Sequence, residues 1–173
     1  FATKNYREAY GLFACSGILF NHESVLRGEE FVTKKIVKAL VHYRFDRKNF
    51  KTVKLGNLYS KRDWGSAEEF VFGMWKILQM KKPDDYIIGT GTSISVKEFI
   101  NISMNCLNLN NFKWKGKGKN ESLIYNGDNI FSIDPNFFRK TEVDRLKCDV
   151  KETYIKLKWK PKIYNRKLIQ KLI

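Results

Sequence analysis

Four short stretches carry residue types that could do chemistry. Asn21-His22-Glu23-Ser24 follows the mostly apolar run from Phe13 to Phe20. If that run is a strand, its polar sequel stands at a carboxyl end, where α/β sheets bind ligands. His22 can meet a ligand through a ring nitrogen, and Arg27 lies in the same loop. Thr33 and Lys35 open the next helical pattern. A helix N-terminus with a cation favours anionic or carbonyl oxygens. In Lys61-Arg62-Asp63-Trp64, Arg62 offers a planar fork suited to phosphate oxygens. Asp63 is expected to orient a neighbouring group and Trp64 to pack in the core. Arg139 and Glu142 add a second guanidinium and a carboxylate, which is acceptor-only when ionised. Taken alone, the loop after Phe20 also reads as a polar connection, and Lys35 as a solvated helical lysine.

The elements that must position these residues follow from patterning. The pattern over Asn5 to Tyr10 is helical, with Gly11 at its C-cap. Residues 13–20 have the continuous apolar character of a strand buried on both faces of a parallel sheet. Residues 21–30 read as a polar loop. Residues 31–44 form an amphipathic helix with Phe31, Ile36, Val37, Leu40, Val41 and Tyr43 apolar. Residues 53–55 are a short strand. Ser66 to Leu78 predicts a helix whose stripe is Phe70, Val71, Met74, Trp75 and Leu78. Residues 85–90 are a second buried strand. Ser95 and Glu98 form a capping box at the head of a helix running to about Leu107. Residues 116–128 read as an exposed loop and 132–134 as a short strand. Asp149, with Glu152 three residues on, opens a further helix, and a last one runs from about Asn165. Strand and helix alternate, so the class is α/β. The glycine-rich GxGxxG fingerprint is missing: Gly89-Thr90-Gly91 lacks the third glycine.

Composition narrows the function classes. At 173 residues with 43% hydrophobic and 29% charged residues, the chain can bury one ordinary core. No apolar run approaches the roughly 20 residues of a membrane span, and the first residues do not read as a secretory signal. Three cysteines, Cys15, Cys106 and Cys148, stand far apart without any CxxC pattern. That spacing argues against a disulfide framework or a zinc site and for a reducing, cytoplasmic setting. The balance of 33 Lys and Arg against 18 Asp and Glu gives +15. Such charge invites a nucleic-acid reading, but the cations are dispersed. The densest cluster, Lys113 to Lys119, reads as a solvated loop, so nucleic acid is not the expected partner.

Taken in order, Gly17-Ile-Leu-Phe-Asn-His-Glu-Ser24, Phe31-Val-Thr-Lys-Lys-Ile36, Leu55-Gly-Asn-Leu-Tyr-Ser-Lys-Arg-Asp-Trp-Gly65 and Arg139-Lys-Thr-Glu-Val-Asp144 resemble the GDP-mannose 4,6-dehydratase family of extended short-chain dehydrogenase/reductases. The resemblance runs from about residue 5 to residue 165 and is weakest over 44–52 and 108–130. It implies a Rossmann domain for NADP joined to a smaller α/β domain for the nucleotide sugar. Residues 1–173 then form the C-terminal portion: the last Rossmann elements plus the substrate-binding region. The family's glycine-rich loop, catalytic Thr and Glu, and Tyr-x-x-x-Lys are expected upstream of Phe1, so no catalytic residue is assigned here. By resemblance, His22 and Arg27 hold the cofactor. Asn21, Lys35 (at the guanine), Arg62 and Arg139 (at the diphosphate) and Glu142 (at the ribose hydroxyls) hold GDP-mannose. The family pattern Ser-Pro-Arg-Arg-Gly appears here as Ser24-Val25-Leu26-Arg27-Gly28, and Lys140 stands where the family has proline.

The resemblance implies an internally redox-neutral reaction. NADP takes hydride from C4 of the mannose, a base removes the C5 proton, water leaves from C6, and hydride returns to C6. The product is GDP-4-keto-6-deoxymannose. The implied assembly is a dimer or tetramer. The chain by itself is expected to bind GDP-sugar without turning it over. Two other readings compete: an epimerase or reductase of the same superfamily, and a non-catalytic remnant that keeps the pocket.

Overall fold

A computed structural model describes every residue except Arg139, Lys140 and Glu142. The expectations on Arg139 and Glu142 therefore lie outside the described residues. In chain order the elements are α1 (Ala2–Tyr10), β1 (Ser16–Leu19), β2 (Asn21–Glu23), α2 (Val32–Phe45), β3 (Val53–Leu55), β4 (Lys61–Arg62), β5 (Trp64–Ser66) and α3 (Ala67–Leu78). There follow β6 (Asp85–Ile88), β7 (Ile94–Ser95), α4 (Val96–Cys106), β8 (Lys113–Lys115), β9 (Ser122–Tyr125), β10 (Asp128–Ile133), α5 (Lys151–Leu157) and α6 (Asn165–Leu172). The class is mixed α/β, as the alternation of patterns requires.

Helix α1 ends where Gly11 turns left-handed, with φ 62° and ψ 24°, a conformation glycine adopts without a Cβ clash. Strand β1 then pairs parallel with β6, Ser16 opposite Asp85 and Leu19 opposite Ile88. The parallel pairing agrees with the sequence, but burial on both faces does not: Ile18 is 54% exposed. This sheet has only two strands among the described residues, which is too narrow to shelter both sides.

The next segment departs from the expected loop. Residues 21–23 form strand β2, parallel to β5, with His22 opposite Gly65. Three residues are too few to show a period in sequence. A second departure is α3. Its buried residues are Phe70, Gly73 and Ile77, while Val71, Met74, Trp75 and Leu78 of the expected stripe are exposed. The buried face is chosen by Trp159: a Cβ on Gly73 would stand 2.8 Å from its ring. Ser66 occupies the N-cap of α3 without a side-chain cap bond.

The third departure is the stretch 116–128: residues 116–120 are exposed, as expected, but Ser122–Tyr125 and Asp128 belong to a sheet. β9 and β10 form an antiparallel hairpin, β8 flanks β9, and β3 joins β10 in parallel, giving the order β3-β10-β9-β8. The hairpin turns at Asn126 (φ 49°) and Gly127 (φ 85°), the residue pair that accepts two positive φ angles. Glu121, 3% exposed, accepts bonds from Tyr59 Oη (2.6 Å) and from Lys97 Nζ on α4. These bonds fasten the sheet to the helix. The Lys113 to Lys119 cluster is likewise partly strand, and Trp114 donates to Asn101 at 2.9 Å.

Two hydrophobic clusters result. The larger packs α2, α4 and α6 against the four-stranded sheet around Leu40, Phe99, Ile100 and Phe131. The smaller holds Phe70, Ile77, Tyr86, Ile88 and Leu157, which join α3, β6 and α5. Helix α4 opens with both halves of the expected capping box, Ser95 and Glu98. Helix α5 begins at Lys151, and Asp149 bonds to the Lys151 amide from outside the helix at 3.2 Å. No helix among the described residues is long and apolar enough to cross a membrane.

Candidate functional site

A cleft of about 600 Å³ opens where β2, the first turn of α2, the end of β3 and β4 converge. Alternation along β2 decides what enters it. Successive strand side chains face opposite ways, so Asn21 and Glu23 line the cleft. His22 faces the other side, with its ring 5.5 Å from that of Phe70. His22 Nδ1 lies 2.9 Å from the Phe20 carbonyl. A carbonyl only accepts, so Nδ1 carries the proton and Nε2 is left as the ring's acceptor.

Arg27 lies on the cleft side, apart from His22. Its guanidinium sits 3.4 Å above the Phe31 ring, and its Nε is 3.3 Å from Glu23 Oε2. Glu23 is 3% exposed and also accepts a 2.8 Å bond from the Thr33 hydroxyl. Burial raises the Glu23 carboxyl above its ordinary range, while Thr33 and Arg27 pull it back. Thr33 is thus committed to bracing the cleft floor. Lys35, one helical position beyond Lys34, lines the wall and places its ammonium 4.6 Å from the Phe137 ring centre.

Gly56 lets the opposite wall approach. A Cβ there would lie 2.6 Å from the Phe137 carbonyl oxygen, so only glycine permits this closeness. Arg62 reaches the cleft from β4 and donates to the carbonyls of Lys61 (2.8 Å) and Val143 (2.7 Å). The backbone of 144–146 docks on the same strand. The Lys61 amide donates to the Asp144 carbonyl, and the Leu146 amide donates to the Lys61 carbonyl. The tail of the Arg-x-Thr-Glu-Val-Asp motif therefore adjoins the strand that carries Arg62.

Asp63 turns inward and is fully buried. Its carboxylate accepts from the Thr90 amide (3.0 Å) and hydroxyl (2.7 Å), the Gly91 amide (2.8 Å) and Cys148 Sγ (3.1 Å). It orients its neighbours, as expected. Trp64 is buried edge-on to Phe99. Asn21, Lys35, Arg62 and Arg27 are thus brought together, and His22 is held apart on the far side of β2. Glu23, Gly56 and Ser60 stand within the candidate stretches without an assigned role, and Phe137 lies outside them, yet all four line the cleft. Spacing by two from Asn21 and from Arg62 was the available sign for Glu23 and Ser60. Nothing in sequence pointed to Phe137.

The sequence profile of the GDP-mannose 4,6 dehydratase family matches residues 1–172. The chain belongs to the GDP-mannose 4,6-dehydratase family. The dehydratase of Drosophila melanogaster is 46% identical over 92% of this chain, and GDP-mannose 4,6 dehydratase 1 of Arabidopsis thaliana is 46% identical over 99%. The chain spans 40% and 42% of the lengths of these two relatives. Among solved structures, RMD from Pseudomonas aeruginosa complexed with NADPH superposes with a TM-score of 0.76 at 12% identity. It covers 99% of this chain and 50% of that one. At that identity the likeness speaks for the fold alone, a Rossmann-type α/β architecture.

Proposed function

We propose that this chain is the nucleotide-sugar-binding part of a GDP-mannose 4,6-dehydratase and that its cleft holds GDP-mannose. The observation that carries the reading is the convergence of Asn21, Lys35 and Arg62 on one cleft, each from a different family motif. Arg62 would meet the diphosphate through its guanidinium fork, and Lys35 the acceptor edge of guanine. Arg139 and Glu142 remain proposed as the second diphosphate clamp and the ribose contact. The docking of 144–146 on β4 supports this. The smaller cluster around β1, β6 and α3 is proposed as the tail of the cofactor domain, and the larger one as the substrate domain.

The proposed cofactor is NADP, as in the NADPH-bound neighbour, and it supplies the hydride chemistry. His22 fits a cofactor contact, because its Nδ1 is anchored at the Phe20 carbonyl and its ring lies beside Phe70, on the other face of β2 from the cleft. Arg27 fits less directly. A contact with a cofactor phosphate requires its pairing with Glu23 and Phe31 to open. The proposed assembly is a homodimer or tetramer. The free thiols of Cys15, Cys106 and Cys148 suit a cytoplasmic setting.

Calorimetric titration with GDP-mannose and UDP-glucose tests the reading. GDP-mannose is expected to bind more tightly. Arg62→Lys is expected to weaken it roughly ten- to a hundred-fold through loss of a charge-assisted bond. Arg44→Lys, exposed on α2, is the control. Arg47 is unsuitable because it holds the hairpin through Asp128 at 2.6 Å. Equal binding of the two sugars, or of the two variants, refutes the assignment.

A further inference from the structure

Three buried side-chain polar atoms among the described residues have no hydrogen-bond partner: Arg27 Nε, Ser60 Oγ and Ser93 Oγ. Two of them, Arg27 and Ser60, belong to residues lining the same cleft. Buried polar groups are paired in the great majority of folded proteins; Arg27 Nε still faces the Glu23 carboxylate at 3.3 Å, so the Ser60 hydroxyl is the atom of this cleft whose bonding a polar ligand would complete.

Ser60 carries the sharper signal. The residue is 3% exposed, and its backbone is fixed, since its carbonyl accepts the amide of Val96 at the head of α4. The hydroxyl can turn toward a partner by rotation about a single bond. Two residues along the chain, Arg62 lines the same wall. A hydroxyl beside a guanidinium suits an anionic oxygen, because the bond it donates is charge-assisted.

We propose that Ser60 is a ligand contact of the cleft, its hydroxyl donating to an oxygen of the same diphosphate that Arg62 grips. The inference rests on the nucleotide-sugar reading and adds to it a residue and an atom. It also explains why an unpaired hydroxyl is kept where alanine would fill the same space without a desolvation cost.

The test is Ser60→Ala in the full chain, read by thermal unfolding and by titration with GDP and with inorganic pyrophosphate. The expected result has two opposite signs. The melting temperature of the ligand-free variant stays the same or rises, because an unpaired buried hydroxyl is gone. Affinity for GDP and for pyrophosphate falls roughly ten-fold, as expected for losing a hydrogen bond to a charged group. Unchanged GDP affinity overturns the Ser60 contact and leaves the nucleotide reading standing. A lowered melting temperature without an affinity loss makes the hydroxyl structural and also overturns it. If the unsubstituted chain binds neither GDP nor pyrophosphate, the nucleotide reading falls and the Ser60 contact falls with it.

Discussion

The carboxylate of Asp63 and the hydroxyl of Thr90 lie 2.7 Å apart, both residues buried, and this bond anchors the strand of Arg62 to the turn after β6. The same turn leads into β7, whose Ile94 pairs with Arg62 itself. One aspartate thus locks both strands that present the guanidinium. The neighbouring Gly91 amide and Cys148 thiol complete its shell.

Asp63→Asn should therefore be costly although it preserves shape. The amide replaces one acceptor oxygen with a donor that faces other donors. Stability is expected to fall by about 3 kcal/mol, the scale of leaving one or two buried donors unpaired. Urea unfolding checks this, with exposed Asp46→Asn as the reference. A loss below about 1 kcal/mol would show that the Asp63 bonds contribute little net stability.

Cys148 makes stability depend on alkaline pH. Burial pushes its thiol up to about 12, and the bond to Asp63 adds to the rise. The folded chain therefore keeps this proton where the unfolded chain, with an ordinary thiol pKa of about 8.5, has released it. Below that ordinary value the contribution is complete, and it is lost as pH climbs toward about 12. The parent is expected to lose more stability than Cys148→Ala between about pH 8 and about pH 11. Parallel unfolding curves for the two across that range would contradict the assignment.

Gly56→Ala should close the cleft. The added Cβ meets the Phe137 carbonyl at 2.6 Å, which is backbone and cannot rotate away. Overpacking of this kind costs about 1–3 kcal/mol. Because Phe137 lines the cleft, nucleotide affinity should fall with stability. Stability lost at unchanged GDP affinity would show that the wall yields away from the ligand.

Gly127→Ala supplies the contrasting case. Gly127 holds φ 85° at the β9–β10 turn, and a Cβ there meets nothing within 4 Å. The penalty is conformational alone, about 1–2 kcal/mol for a side chain forced left-handed. Thermal unfolding should report it, while GDP binding, remote from the turn, stays constant.

What the sequence determined by itself was local or specific to the family. The Gly11 cap and the Ser95–Glu98 box were legible because a cap depends on a few adjacent residues. The buried positions Ile36, Val37, Leu40 and Tyr43 of α2 were legible because one helical stripe was clearly apolar. The Asn126-Gly127 turn was equally visible in principle, but it stood behind a run of lysines and glycines that read as loop. Family membership came from motifs spaced across the chain. Tertiary structure alone decided the rest. Helix α3 is apolar on more than one side, so its buried face was settled by Trp159 meeting Gly73. Strands β2, β4 and β5, at two or three residues, are too short for a period and exist through their partners. The same pairing set His22 and Glu23 on opposite faces, turned Arg27 onto Glu23 and left Ser60 unpaired beside Arg62. These outcomes depend on contacts between residues far apart in the chain, which local patterning does not encode.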